Sequence, residues 1–346
     1  MNHYFFPPPL PHLGARGTTE TSRAIRSAYV RLAWSSRDPS RLIGYGLACA
    51  TWPAVLVCAA LYNTARSGRR VGRSSGKSLS QQFLEQLQLG IVHTIRPRTY
   101  YIFELHDPAR FAVAGSYLQR FETKGGLYSA LKSRKVPAGR RKCLSDKLRF
   151  FERCRALKMA TPRVLMALDK GRALALEGDG GDLPPIDLFV KPTHGGGGKG
   201  AELWQYADEC WVRAGERLDS EAFLERALER SKCHPLIIQE ALRPHAAIAG
   251  LSVGALPTAR IITIVDESGE IEVGGAVFRM SIRWNSAIDN VHAGAIAATI
   301  DPRSGRLGQA TDIGLGPISG RHDCHHITGA PITGTQLPHW PAAVEL

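Results

Sequence analysis

No two of the seven cysteines form a CxxC pair; Cys49, Cys58, Cys143, Cys154, Cys210, Cys233 and Cys324 are scattered along the chain. That spacing excludes a disulfide framework and fits a reducing compartment. Acidic residues are scarce at the N-terminal end: residues 1–100 carry 3 Asp/Glu against 13 Lys/Arg, a net of +10, out of +13 for all 346 residues. Such a basic arm suits nucleic acid or an anionic membrane surface. Aromatic platforms are not interleaved with this charge, which argues against nucleic acid. No apolar stretch falls within the first thirty residues, so a cleavable signal peptide is not expected. Internal repeats and sequential βαβ alternation are also missing. The length allows two or three domains.

The most informative stretch is Asp187 to Glu202, DLFVKPTHGGGGKGAE. A short apolar run, Leu188 to Val190, delivers Lys191; then come four glycines, Gly195, Gly196, Gly197 and Gly198, and a second lysine, Lys199. Consecutive glycines are costly to order. They suit a backbone that must approach phosphate oxygens closely with unobstructed N–H groups. A mobile surface loop is the alternative reading. The loop is not a P-loop, because Gly200 rather than Ser or Thr follows Gly198-Lys199. Nor is it a dinucleotide fingerprint, because Leu203, Trp204 and Tyr206 read as another strand where a helix is required. A glycine-rich hairpin folded over a triphosphate remains.

Around it the chain reads as follows. Residues 1–40 are a basic, partly disordered arm opening with Pro7, Pro8, Pro9 and Pro11, in which Arg23 to Trp34 suits a basic amphipathic helix. Residues 42–62 are uncharged for 21 positions, long enough to cross a bilayer, with arginines on both sides; a membrane helix and a packed soluble helix are both open. Residues 66–78 read as a basic flexible linker, Ser80 to Leu89 as a helix, and Pro108 to Lys132 as a long helical pattern. Asp146-Lys147 opens a helix; Val164 to Leu168 is a strand; Gly178 to Asp182 is an acidic turn. Asp219 or Ser220 caps a helix through Arg230. Leu236 to Ile238 is a buried strand ending in Gln239-Glu240. Thr258 to Val265 and Ile271 to Met280 form a hairpin. Ala295 to Ile300 is a further strand, and from about 307 onward the chain is loop-like. His322, Cys324, His325 and His326 are too crowded for ordinary zinc spacing.

Three features in this order, the helix at Asp146-Lys147, the strand ending in Lys191-Pro192 before the glycines and the strand ending in Gln239-Glu240, resemble the ATP-grasp superfamily. The segments PTARIITIVDESGEIEVGGAVFRM, IDNVHAGAIAATIDPRSGRLG, HHITGAPITGTQLPHW and RPRTYYIFELHDPAR look like its sugar-transfer-associated branch, related to α-L-glutamate ligases, over roughly residues 90–346. The resemblance implies an α+β fold in which two antiparallel-sheet subdomains, 141–241 and 242–346, clasp ATP, preceded by the arm 1–40, an apolar helix over 41–65, and a linker and helical region over 66–140. It implies that Lys147 and Lys191 contact phosphates, that Gly195 to Gly198 form the lid, that Gln239 and Glu240 read adenine and ribose, and that Arg260 meets the γ-phosphate or an acyl phosphate. Physically, lysine is a compact cation for phosphate and an arginine fork suits spread negative charge. Lys147 also reads as an ordinary first-turn residue, and Glu240 as a solvated strand end.

The implied chemistry is that of an ATP- and Mg²⁺-dependent carboxylate–amine ligase acting on an unidentified carboxylate or amine, linked to cell-surface sugar or peptide biosynthesis; a non-catalytic nucleotide-binding or membrane-tethered scaffold is the alternative. The implied location is cytoplasmic, with inner-membrane attachment through 42–62. One departure stands out. Magnesium needs hard oxygen ligands, and the family's Glu-x-Asn motif does not occur downstream of Arg260. The expectation is a C-terminal subdomain lacking its final metal-binding strands, with Asp289 and Asn290, which also suit a turn, as the remaining metal candidates.

Overall fold

The computed structural model describes residues 9–10, 17–123, 144–174, 183–266, 268–284, 287–312 and 320–345. The chain forms two compact units, Met1–Val136 and Pro137–Leu346. The acidic turn 178–182, the prolines at 7, 8 and 11, and the 124–132 end of the helical pattern lie outside the described residues.

The first unit is helical. Helix α1 (Glu20–Trp34) starts at a Thr19 capping box. Helix α2 (Pro39–Ser75) starts at an Asp38 cap and ends where Gly76 turns left-handed at φ 71°. It is followed by α3 (Leu79–His93), α4 (Pro97–Ile102), α5 (Pro108–Ala112) and α6 (Arg120–Glu122).

Helix α2 corrects the reading of 66–78 as a flexible linker. Trp52, Leu56, Ala60, Thr64, Ser67 and Val71 recur at helical spacing and are all buried. This stripe packs on α3, where Gly90 lets Leu56 come so close that a Cβ there would lie 2.2 Å from it. Gln82 Nε2 donates to the Gly68 carbonyl at 3.0 Å, and Gln86 Nε2 to Thr64 Oγ1 at 2.7 Å. These contacts carry the helix through the arginines to residue 75. The opposite face is apolar and open, with Ile43 64%, Leu47 62%, Leu61 55% and Tyr62 61% exposed.

The helical pattern from Pro108 is also corrected: it breaks after Ala112, with a 3-10 turn at Ala114–Ser116. Buried Arg26 explains the break. Its guanidinium pairs with Glu122 at 2.9 Å and takes hydrogen bonds to the carbonyls of Gly115 and, at 2.8 Å, Tyr117. Those oxygens serve a distant arginine instead of a helical ladder.

The second unit is built on two antiparallel sheets. Helix α7 (Lys147–Ala156) is capped by Asp146, whose carboxylate accepts from the N–H groups of Leu148 and Arg149. The first sheet comprises β1 (Val164–Asp169), β2 (Arg172–Leu174), β3 (Leu188–Pro192), β4 (Glu202–Ala207), β5 (Cys210–Arg213), β6 (Glu216–Leu218) and β7 (Leu236–Glu240), in the order β2-β1-β7-β3-β4-β5-β6. Helix α8 (Ser220–Ser231) sends Phe223 and Ala227 into a core with Leu188, Val190 and Trp204. Strand alternation turns Phe189 and Lys191 to the other face, where Phe151 of α7 packs on Val164, Ala167 and Ile237.

The second sheet has the order β12-β11-β10-β9-β8, with β8 (Thr258–Val265), β9 (Ile271–Met280), β10 (Ile296–Ile300), β11 (Leu307–Thr311) and β12 (Arg321–His322). Phe278, Met280, Ile296, Ala298 and Ile300 form its core with Trp340 of helix α9 (Trp340–Val344). The loop-like reading from 307 onward is corrected by β11, β12 and α9.

Candidate active site

Residues of both sheets line one cavity of ≈ 870 Å³. From the first sheet come Phe189, Lys191, Leu203, Gln239 and Glu240; from the second come Thr258, Arg260 and Arg279; Gly197 and Gly198 lie at one side and Ala287 to Asn290 at another. The cavity gathers apolar surface, polar groups at a strand end and cations, as a nucleotide requires.

Lys191 is the electrostatic focus. Its ammonium lies 5.6 Å from the Phe189 ring centroid, and no hydrogen bond or ion pair fixes it among the described residues. Burial first, and then the neighbouring Lys147 charge, together pull its pKa down to about 8. A desolvated cation facing an open cavity is poised for an anion.

Lys147 opens α7. Its Nζ donates to the carbonyls of Thr193 at 3.2 Å and Gly195 at 3.1 Å, and its own N–H donates to Thr193 at 2.9 Å. Burial lowers its pKa too. Lys147 therefore holds the start of the glycine loop and does not itself line the cavity. At the other end of the loop, Arg230 donates to the Gly200 carbonyl at 3.0 Å while bound to the Glu202 carboxylate at 2.6 Å. Glu202 also meets Arg213 and Arg226, and the latter two guanidinium groups lie over the Trp204 ring. Between these anchors Gly195, Gly197 and Gly198 have φ of 93°, 73° and 73°, which L side chains adopt at a cost. Gly196 does not.

Gln239 and Glu240 end β7, the strand paired to both β1 and β3, with Gln239 opposite Phe189 and Glu240 opposite Leu188. Glu240 Oε1 accepts from the Arg163 N–H at 2.9 Å. Beyond it Leu242 is 47% exposed at the cavity wall. Arg260 is exposed on β8, with no hydrogen bond or ion pair among the described residues.

Sequence reasoning gave no role to Phe189, Leu242, Ile288 and Thr258. For Phe189 the signal was available: it alternates with the buried Leu188 and Val190 and so shares the face of Lys191. The others depend on the two sheets meeting and carry no local signal.

Asp289 and Asn290 also line the cavity. Asp289 Oδ1 is held by Arg279 at 3.1 Å, and its Oδ2 by the Thr258 hydroxyl. One oxygen is thus ion-paired with a cation and the other already accepts a hydrogen bond, and among the described residues no three His, Cys, Asp or Glu side chains group as a metal site. The described donor set does not fit a magnesium ion.

The two-sheet architecture around a lysine-and-glycine cavity defines an ATP-grasp protein. The family described as sugar-transfer associated ATP-grasp matches residues 129–346, and the chain belongs to that family. No curated protein and no solved structure matches it.

Proposed function

We propose that this protein is an ATP-dependent ligase of the carboxylate–amine type. The observation that carries the reading is Lys191: a desolvated ammonium with no hydrogen bond or ion pair among the described residues, beside the glycine loop and in the same cavity as Gln239, Glu240 and Arg260. Lys191 and the N–H groups of Gly195 to Gly198 bind the phosphates, and Lys147 holds that loop in place. The end of β7 offers backbone groups to the edge of adenine, and the Glu240 carboxylate accepts from ribose hydroxyls. Phe189, Leu203 and Leu242 supply the apolar walls. Arg260 meets the terminal phosphoryl group.

In the reaction a substrate carboxylate oxygen attacks the γ-phosphorus. The bond from that phosphorus to the β–γ bridging oxygen breaks, and ADP leaves with the electron pair. An amine then attacks the acyl carbon, loses its proton to solvent, and displaces inorganic phosphate. Lys191, already in the cavity, and Arg260, which moves to the group, offset the charge that develops during transfer. Family members generally use Mg²⁺; the described residues of this chain do not form a site for it.

A non-catalytic nucleotide-binding protein is the second reading; the engagement of Asp289 by Arg279 and Thr258 favours it. Both readings require ATP binding, which calorimetry on the full chain and on Lys191→Ala tests. Turnover separates them: phosphate release on adding carboxylate and amine pools supports the ligase.

The proposal includes a cytoplasmic location with attachment to the inner membrane through α2. Its apolar window has mean hydropathy 1.7 and is only 6% buried. The exposed Arg66, Arg69, Arg70 and Arg73 follow directly, and arginines near an anionic surface add to binding.

A further inference from the structure

Thr258 and Arg279 stand directly opposite each other in the β8–β9 pairing. Arg279 Nε lies 3.3 Å and its Nη2 2.9 Å from Thr258 Oγ1. The same Nη2 lies 3.1 Å from Asp289 Oδ1. Thr258 Oγ1 in turn donates to Asp289 Oδ2. The three side chains form a closed ring: the hydroxyl accepts from the arginine and donates to one carboxylate oxygen, and the other carboxylate oxygen is ion-paired with the arginine. The ion pair is largely shielded, with the Arg279 side chain 21% and the Asp289 side chain 13% exposed.

A guanidinium has five N–H donors. The ring occupies Nε and Nη2, and the Nη1 pair meets no acceptor among the described residues. Arg279 also lines the cavity that holds Lys191 and Arg260. Arg260, two residues along β8 from Thr258 and opposite Val277, has no such support among the described residues. The cavity thus has one arginine held by a carboxylate and a hydroxyl, and one free to move.

We propose that Asp289 and Thr258 are positioning residues: they fix Arg279 so that its free Nη1 donors meet the terminal phosphoryl group of ATP, and Asp289 is not a magnesium ligand. This rests on ATP occupying the cavity. A preset guanidinium binds a tetrahedral anion without first losing rotamer freedom. Arg260 then moves to the group as it transfers. The arrangement also explains why the carboxylate sits in a cationic cavity: without it, Arg279 would need a counter-ion of its own.

The test compares the full chain with Asp289→Asn and Thr258→Val, measuring affinity for ATP and ADP by calorimetry over a range of free Mg²⁺. Arg279 acts on the terminal group, so each variant should weaken ATP by about tenfold while ADP changes by less than about twofold. The Mg²⁺ concentration for half-maximal ATP binding should stay as in the parent. Asp289→Asn should have no further effect in an Arg279→Gln background, because the two act as one unit. Equal loss of ATP and ADP would mean the ring is only structural and would overturn the proposal. Recovery of Asp289→Asn by excess Mg²⁺ would overturn it in favour of metal ligation. If Asp289→Asn does not fold, Thr258→Val, which keeps the side-chain shape, decides alone. A parent chain that binds neither nucleotide overturns the proposed function and this inference together; a parent that binds ATP while the variants match it overturns the inference alone.

Discussion

A Cβ on Gly198 would lie 2.0 Å from Cγ2 of Ile288, so the glycine loop and the 287–290 segment of the opposite wall touch at a point that only glycine permits. Gly198 is also left-handed, at φ 73°. Gly196, two residues earlier, is neither left-handed nor near any other group. Gly198→Ala should therefore destabilise the protein by roughly 1–2 kcal/mol from backbone strain and more from the collision. Gly196→Ala should be neutral or slightly stabilising. Thermal melts of the two variants check the contrast, and equal melting temperatures would refute the close approach.

Lys191→Ala should weaken ATP binding by roughly 10–100-fold, as expected for a hydrogen-bonded charge on phosphate. Calorimetry measures it. A folded variant with unchanged affinity would remove Lys191 from the site.

Affinity for ATP should fall as pH rises through about 8, where the free protein loses the Lys191 proton. Binding near that pH should take up a proton, visible as a dependence of the binding heat on buffer ionisation. The stability of the nucleotide-free protein moves the other way. The folded pKa lies below the unfolded one, so between about 8 and the ordinary lysine value of 10.5 the unfolded chain holds more protons, and this group's contribution to stability rises with pH. A proton count of zero on ATP binding at pH 8 would exclude Lys191 as the responding group.

Glu202→Gln should loosen the far anchor of the glycine loop, because Arg230 holds Gly200 while paired with Glu202. With the arginines left partly exposed, a cost of about 2 kcal/mol is expected, together with faster proteolysis after Lys199. Unchanged cleavage at Lys199 would show that the anchor does not restrain the loop.

The membrane proposal predicts co-sedimentation with vesicles containing anionic lipid, weaker association with neutral ones, and loss of both in Leu47→Glu/Leu61→Glu. The inner stripe of α2 packs on α3, with Trp52 and Leu56 against Gly90 and Thr64 against Gln86, so the helix should lie in the interface rather than cross alone. Release by alkaline carbonate fits this; resistance to it would indicate a spanning helix.

Much of the second unit is legible in the sequence. The hairpin Thr258–Val265 and Ile271–Met280 was readable to the residue, because two β-branched runs flank a turn at Asp266–Gly269. The Asp146 and Asp219 caps and the strand ends at Lys191 and Glu240 were readable for similar local reasons. Strand β11 was not: only Leu307 and Ala310 are buried, and a register shift between Ala298 and Ile300 of its partner breaks the alternation. Residues 66–75 of α2 read as linker because arginines crowd the outer face, while the inward Ser67, Gly68 and Val71 are small. The break after Ala112 depends on Arg26, nearly ninety positions earlier. The Arg279–Thr258–Asp289 ring likewise needs residues brought together by pairing and by the turn back to 289.

The place of β7 in the first sheet sets an order on how this protein comes into being. It lies between β1 and β3, although both precede it in the chain. Until residue 240 has left the ribosome, those two strands have an empty lane between them, and each lacks its β7 partner. The insertion requires contacts across about 50 and 70 residues, the kind of closure that slows folding. Because the inserted strand is the one ending in Gln239 and Glu240, a chain stalled before that step holds its lysines and glycines but has no ledge for a base. Nucleotide added during refolding should therefore act late, drawing the last strand into place rather than seeding the sheet.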